Sequence, residues 1–184
     1  MKTRSFELFG KRIVSVFEHY LMSIDYSDTK KIKTSLKMEC VTSKFDKIID
    51  GTYNSDLAKK IVLDNKKLCE IFVFSDTDDN IVGTLCVMYK GGNDIEYKIR
   101  NVKAFIYNVF TSEKFRGNGY AKEMICLLMQ YLYDKSDGKI QRAFLAVSTN
   151  NISAIKAYKK TGFKIRKKTS FVRIMKMNIP YRIL

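Results

Sequence analysis

One histidine, His19, stands in the 184 residues, so any chemistry that needs an imidazole must use it. Proline is as scarce: Pro180 is the only one, and no linker, repeat or composition break divides the chain. A single domain over residues 1–184 is expected, long enough to bury a real core. The four cysteines, Cys40, Cys69, Cys86 and Cys126, show no Cys-x-x-Cys spacing. That argues against a disulfide framework or a zinc site and for a cytoplasmic setting, with no metal expected. Cys86 and Cys126 sit in apolar runs and read as buried thiols. No apolar run approaches the roughly 20 residues that a membrane span needs, so no membrane partner is expected. The first residues lack the apolar block of a signal peptide.

Acidic residues are also in short supply, 19 against 34 lysines and arginines, for a formal charge of +15. Such an excess suits a nucleic-acid partner, a membrane surface or an acidic ligand. The lysines are scattered in ones and twos, and no basic arm forms. Solvated surface is therefore favoured over a dedicated nucleic-acid face, which stays an open alternative.

What is present is an alternation of strand and helix signals. Ile13, Val14, Val16, Phe17, Tyr20 and Leu21 fit a helical stripe, while Tyr20 to Ile24 fits a first strand equally well. Ser27-Asp28 reads as an N-cap before a helix over 29–41, and a second helix is expected over about 56–65. Leu68 to Phe74 and Ile81 to Tyr89 read as a hairpin across the polar turn 75–80. Gly91-Gly92 ends it, and a central strand follows from Val102 to Phe110. A long helix then runs to about Lys135, where Asp137-Gly138 stops it. Ala143 to Ser148 reads as a buried strand, a helix capped by Asn150 or Asn151 ends at Gly162, and Phe171 to Ile179 alternates like an outer strand. The order is βααββ-βαβα-β(β), an α/β (α+β) fold with a mixed sheet and helices on both faces.

Two stretches carry chemistry. In the first, the central strand meets Arg116-Gly117-Asn118-Gly119 and then apolar residues at helical spacing, Ala121, Met124, Ile125, Leu128 and Leu132. A strand, a glycine-rich turn and a helix N-terminus form a phosphate cradle, because the first helical N–H groups have no partner. A plain connection is the competing reading. The second stretch is Asn151-x-x-Ala154-x-x-x-Tyr158-x-x-x-Gly162-Phe163. With Arg116-x-x-Gly119-x-Ala121 before it, the pair resembles the acetyl-CoA-binding core of the GNAT superfamily of N-acetyltransferases over about residues 76–177.

That resemblance implies a mostly antiparallel sheet, acetyl-CoA as co-substrate, and acetyl transfer to a primary amine by direct attack in a ternary complex. It implies that Tyr158 is the general acid for the coenzyme sulfur and that Asn151 contacts the pantetheine arm, with Ala154 on the same helix face. Phe110 and Thr111 would offer backbone groups to the pantetheine, over Val109. The loop N–H groups at Gly117, Asn118, Gly119, Tyr120 and Ala121 would take the diphosphate with Arg116, and Lys160 would reach the ribose phosphate. On the central strand, Asn108 stands where relatives often carry a carboxylate, so it is assigned to the acceptor rather than to base chemistry. Glu70, Glu96, Glu113 and His19 are the remaining groups that could accept a proton, and water-relayed loss or an already neutral amine is expected. A non-catalytic acyl-CoA-binding module and an RNA-associated enzyme acting on charged tRNA or a basic protein are the alternatives. The acceptor, a small molecule or a peptide amine, is not readable. Homodimers are common among relatives.

Overall fold

The computed structural model describes residues 5–8, 11–29, 34–41, 69–89, 104–174 and 177–181; within 5–16 and 172–181 only the backbone is described. The strands are β1 (Ser5–Leu8), β2 (Lys11–Asp25), β3 (Lys37–Cys40), β4 (Cys69–Ser75), β5 (Ile81–Tyr89), β6 (Ala104–Thr111), β7 (Arg142–Ser148), β8 (Lys164–Ile174) and β9 (Met177–Tyr181). The helices are α1 (Tyr120–Lys135) and α2 (Ile152–Thr161). The strands form one sheet in the order β3-β4-β5-β6-β7-β2-β8-β9, with β1 paired on β2. Every pairing is antiparallel except β6 with β7, so the sheet is mixed and mostly antiparallel, as expected.

The sheet has two buried faces. On the first, Phe72, Phe74, Leu85, Ile106 and Leu145 meet Met124, Ile125, Leu128, Met129 and Leu132 of α1, joined by Ile155 of α2 and by Phe163. On the second, Leu21, Cys69, Ile71, Val73, Cys86, Met88, Phe105 and Phe171 cluster. Alternate residues of one strand serve the two faces, as the two-residue side-chain period requires. Both described helices lie on the first face; the helix expected over 56–65, Gly91-Gly92 and Glu96 fall outside the described residues.

Three expectations change. Residues 11–25 are a strand throughout, and the helical stripe is not used. β2 lies between β7 and β8, so Leu21 turns to one cluster while Met22 and Ile24 turn to the other. Burial on both faces makes an apolar run without clean alternation, which is why periodicity left the segment open. The helix over 29–41 is replaced at its end by β3, which pairs with β4. Leu36 and Met38 alternate with exposed Lys37 and Glu39, a period of two, and the Ser27-Asp28 signal belongs to a 3₁₀ turn over Tyr26–Asp28. Finally, the outer strand over 171–179 is two strands, β8 and β9, that pair antiparallel from Ile174 and Met177. β8 starts earlier, at Lys164, in a stretch whose cations are met from β2 and the turn after it: Lys164 by Asp28 at 2.7 Å, Lys168 by Glu18 at 2.7 Å, and Arg166 by the Ser23 hydroxyl at 2.6 Å.

Candidate functional site

The parallel pair β6–β7 opens along its length. Cα partners exist only at Phe105 with Phe144 and Ile106 with Leu145; beyond them the two strands part. On its other side β6 stays paired with β5, but the register slips between Thr84 and Cys86, and Asn108 takes a left-handed φ of 52°. This is a β-bulge, which bends the strand and re-aims its end. It also brings backbones close. A Cβ on Gly83 would lie 2.3 Å from the Phe110 carbonyl oxygen and 2.8 Å from Met124 Sδ, so only glycine fits there. Gly83 was not singled out from sequence; a glycine inside a strand pattern is the signal that marks it.

From the end of β6 the chain turns tightly into α1. Ser112 N–H donates to the Val82 carbonyl at 2.8 Å, and a 3₁₀ turn covers Glu113–Phe115. Gly117 and Gly119 follow with φ of 86° and 85°, a region that side chains disfavour and glycine enters freely. The backbone N–H groups of residues 117 to 121 have no hydrogen-bond partner among the described residues, while the Gly119 carbonyl accepts from Lys122 N–H at 2.9 Å. A row of unmet donors at a helix N-terminus is a ready anion site.

Helix α2 faces this loop. Asn151 caps it, its Oδ1 accepting from Ala154 N–H at 3.1 Å and from the Ser153 hydroxyl at 3.1 Å. Gly162 closes it with φ of 117°. Between the end of β6, the loop and α2 lies one groove of about 580 Å³. Phe110, Thr111, Arg116, Gly117, Gly119, Tyr120, Ala121, Asn151, Ala154, Tyr158 and Lys160 all line it, over Val109. The two stretches, separate in sequence, thus share one surface. Lys122, Ser153, Lys156 and Ala157 line it as well and were missed. Lys156 and Lys160 stand four apart on one helix face, which is the signal that was available. Ile155, next to Ala154, is buried in the core.

Not every expected residue points into the groove. Asn118 is exposed, and its side-chain amide reaches back to the Phe115 carbonyl at 3.5 Å, leaving only its N–H for the loop. Asn108 lies beside the Cys86 thiol, which belongs to the second face. Arg116 is exposed and tied locally, donating to the Thr111 carbonyl at 3.1 Å and pairing with Glu113 at 3.2 Å, with its guanidinium 5.8 Å from the Phe110 ring. Tyr158 packs against Phe163, ring centroids 5.6 Å apart, and its hydroxyl has no hydrogen-bond partner among the described residues. Burial pushes its phenol up to about 12, so it holds its proton at any ordinary pH. The groove therefore offers unmet N–H donors, lysines and arginine suited to a polyanion, and a neutral phenol able to donate a proton.

The carboxylates are placed elsewhere. Glu113 is exposed and paired with Arg116. Glu70 bonds Lys135 and the Tyr89 hydroxyl at the far end of α1, about 22 Å along the helix from the loop at 1.5 Å per residue. His19 lies on β2, between Ser148 of β7 and Thr169 of β8. Among the described residues, no group of histidine, cysteine or carboxylate side chains is placed to hold a metal.

Comparison with known proteins agrees with this geometry. The model of the acetyltransferase (GNAT) family matches residues 41–163, more than half of the chain. A spermine/spermidine N(1)-acetyltransferase of Bacillus subtilis is 27% identical over 114 residues, 61% of this chain and 72% of that protein. In fold, the chain is similar to a functionally unknown conserved protein of Staphylococcus epidermidis (TM-score 0.59, 13% identity, 90% of this chain and 64% of that one). It is also similar to an acetyltransferase from the GNAT family of Colwellia psychrerythraea (TM-score 0.56, 13% identity, 86% and 55%). The chain thus spans between half and two-thirds of the length of these solved chains. With the family match running from the residue after β3 through the loop and α2 to Phe163, the chain belongs to the acetyltransferase (GNAT) family.

Proposed function

We propose that the protein transfers the acetyl group of acetyl-CoA to a primary amine, by direct attack of the amine in a ternary complex. The observation that carries this reading is the single groove in which the unmet N–H groups of 117–121 and the phenol of Tyr158 meet the parted end of β6. The diphosphate sits on the loop donors of Gly117, Asn118, Gly119, Tyr120 and Ala121, with Arg116 beside them. Lys160, with Lys156 and Lys122, answers the ribose phosphate. The pantetheine runs along Phe110 and Thr111, whose edge toward β7 has no strand partner, and past Asn151 and Ala154.

Acetyl transfer needs a neutral amine, a polarised carbonyl and a proton for the departing sulfur. Free N–H groups at the end of β6 polarise the carbonyl, and Tyr158 donates to the sulfur. A phenol near 12 is a weaker acid than a thiol, whose ordinary value is about 8.5 in water. The desolvation that raises the phenol also penalises a thiolate in the same groove, which narrows the mismatch.

Polyamines are the first acceptors to screen, because the Bacillus subtilis relative is named for them. Asn108 on a β6 without a carboxylate favours a second reading, a non-catalytic acyl-CoA-binding module. Calorimetric titration with acetyl-CoA tests the groove. Binding is expected in wild type and lost in Gly119→Glu, whose side chain would enter open space in the cradle. No binding to wild type overturns the proposal. Binding without thiol release across a panel of amines, spermidine included, leaves the second reading standing.

A further inference from the structure

The amine's proton has no destination on β6, which carries no carboxylate between Ala104 and Thr111. Glu113 and Glu70 are held by Arg116 and Lys135. The opening between β6 and β7 has another side, however. α1, α2 and the groove occupy the first face of the sheet, so an amine reaching the opening from the second face would meet a different set of groups.

Along β7, Ala143, Leu145 and Val147 turn to the first face while Phe144 and Ala146 pack on the second. Ser148 ends the strand and continues the second series, three residues beyond Leu145, the last residue of β7 paired with β6. The register of β2 sets His19 directly beside Ser148, and that of β8 sets Thr169 on the other flank of His19. His19 shares the second face with Phe17 and Phe171, at ring separations of 5.3 Å and 5.6 Å. Directly opposed residues hold their Cβ atoms about 4.5–5.5 Å apart, so side-chain rotation is enough to bring hydroxyl and imidazole together along the row; in the resting structure the Ser148 hydroxyl oxygen accepts from Asn150 N–H at 3.4 Å. Thr169 Oγ1 is buried without a hydrogen-bond partner, a costly state that a neighbouring imidazole N–H would relieve. The row Ser148–His19–Thr169 thus crosses three adjacent strands and ends at the opening.

We propose that His19 takes up the proton of the acceptor amine through the Ser148 hydroxyl, with Thr169 Oγ1 accepting from the other ring nitrogen and so holding the tautomer. This rests on the acetyl-transfer reading above. The amine lone pair forms the bond to the acetyl carbon. The C–S bond breaks with its electron pair going to sulfur, which takes the Tyr158 proton. The nitrogen's excess proton passes to Ser148 Oγ as the serine proton passes to His19; His19 then releases it to solvent, from which Tyr158 is reprotonated.

Because the chain has one histidine, a single imidazole is observed by nitrogen-15 spectroscopy of the whole protein. His19→Ala is expected to lower kcat/KM for the amine on the order of 100-fold, with acetyl-CoA affinity unchanged and with added imidazole restoring much of the rate. His19→Gln, which keeps more of the side-chain volume, should show the same loss without rescue. Activity within threefold of wild type in either variant, or a loss in His19→Ala that imidazole leaves untouched, overturns the relay. Thr169→Val should shift the tautomer balance of the imidazole whether or not an amine has been found, and an unchanged spectrum likewise overturns it. Failure of wild type to bind acetyl-CoA would instead strike the groove reading, and leaves the spectroscopic test of the row intact.

Discussion

Tyr158 holds its proton because its surroundings penalise the phenolate, and no described charge stands close enough to offset that. As the proton donor to the departing sulfur, it is tested by Tyr158→Phe, which removes the donor while leaving the packing against Phe163 in place. The expected result is a fall in kcat on the order of 100-fold with acetyl-CoA affinity nearly unchanged; equal turnover would sink the acid assignment. Both Tyr158 and its neighbour Asn151 could be read from sequence because helical spacing is local: residues 151, 154 and 158 share a face wherever the helix sits. The same local logic let Gly119 be read as a cradle residue, and its φ of 85° adds a second reason for glycine, since a left-handed side-chain residue costs about 1–2 kcal/mol. Gly119→Ala is the natural control for Gly119→Glu, carrying the strain without the long side chain. Lys156 was marked only by standing four residues before Lys160, and Lys122 by nothing, because a lysine on a helix looks the same whether it faces a groove or bulk water.

At the level of the element, the end of β6 depends on a partner strand. The bulge at Asn108 and the contact of Gly83 with the Phe110 carbonyl set where the strand leaves β5 and where it parts from β7. Gly83→Ala places a methyl group against backbone and Met124, and something must move. It should destabilise the protein by about 1–3 kcal/mol, read as a lower midpoint in urea, and weaken acetyl-CoA binding more than a remote variant of equal stability. Unchanged binding at reduced stability would mean that the bulge serves packing alone. The strand itself was readable from its apolar, β-branched run, as were the hairpin β4–β5, α1 and α2. β3 was misread as helix and β8–β9 as one strand. In both places short polar or charged runs owe their strand state to cross-strand partners: Val73 and Phe74 opposite Glu39 and Met38, and the acids of the β2 segment opposite the cations of β8.

At the scale of the whole molecule, eight of the described basic residues fall into two groups. Lys164, Arg166, Lys168 and Arg142 lie against Asp28, Asp25 and Glu18, while Arg116, Lys122, Lys156 and Lys160 line the groove. The Arg142 guanidinium, hydrogen-bonded to Asp25, holds that carboxyl below its ordinary value. A lowered carboxylate contributes stability above its unfolded value and loses it as pH falls through the folded one. Arg142→Met should therefore lower stability near neutral pH by up to about 1 kcal/mol, the pair being partly exposed. The difference from wild type should close as melts are taken down toward about pH 3; a difference that persists in acid would show that Arg142 acts through packing. By itself the sequence determined the phosphate-type loop, the faces of α2 and the family to which they point, because those features lie within runs of a few residues whose spacing fixes their geometry. Only the tertiary structure decided that β2 would lie between β7 and β8, bringing His19 beside Ser148 and Thr169 at the mouth of the opening. Strand neighbours distant in sequence are chosen by burial on both faces and by register, which no local pattern records.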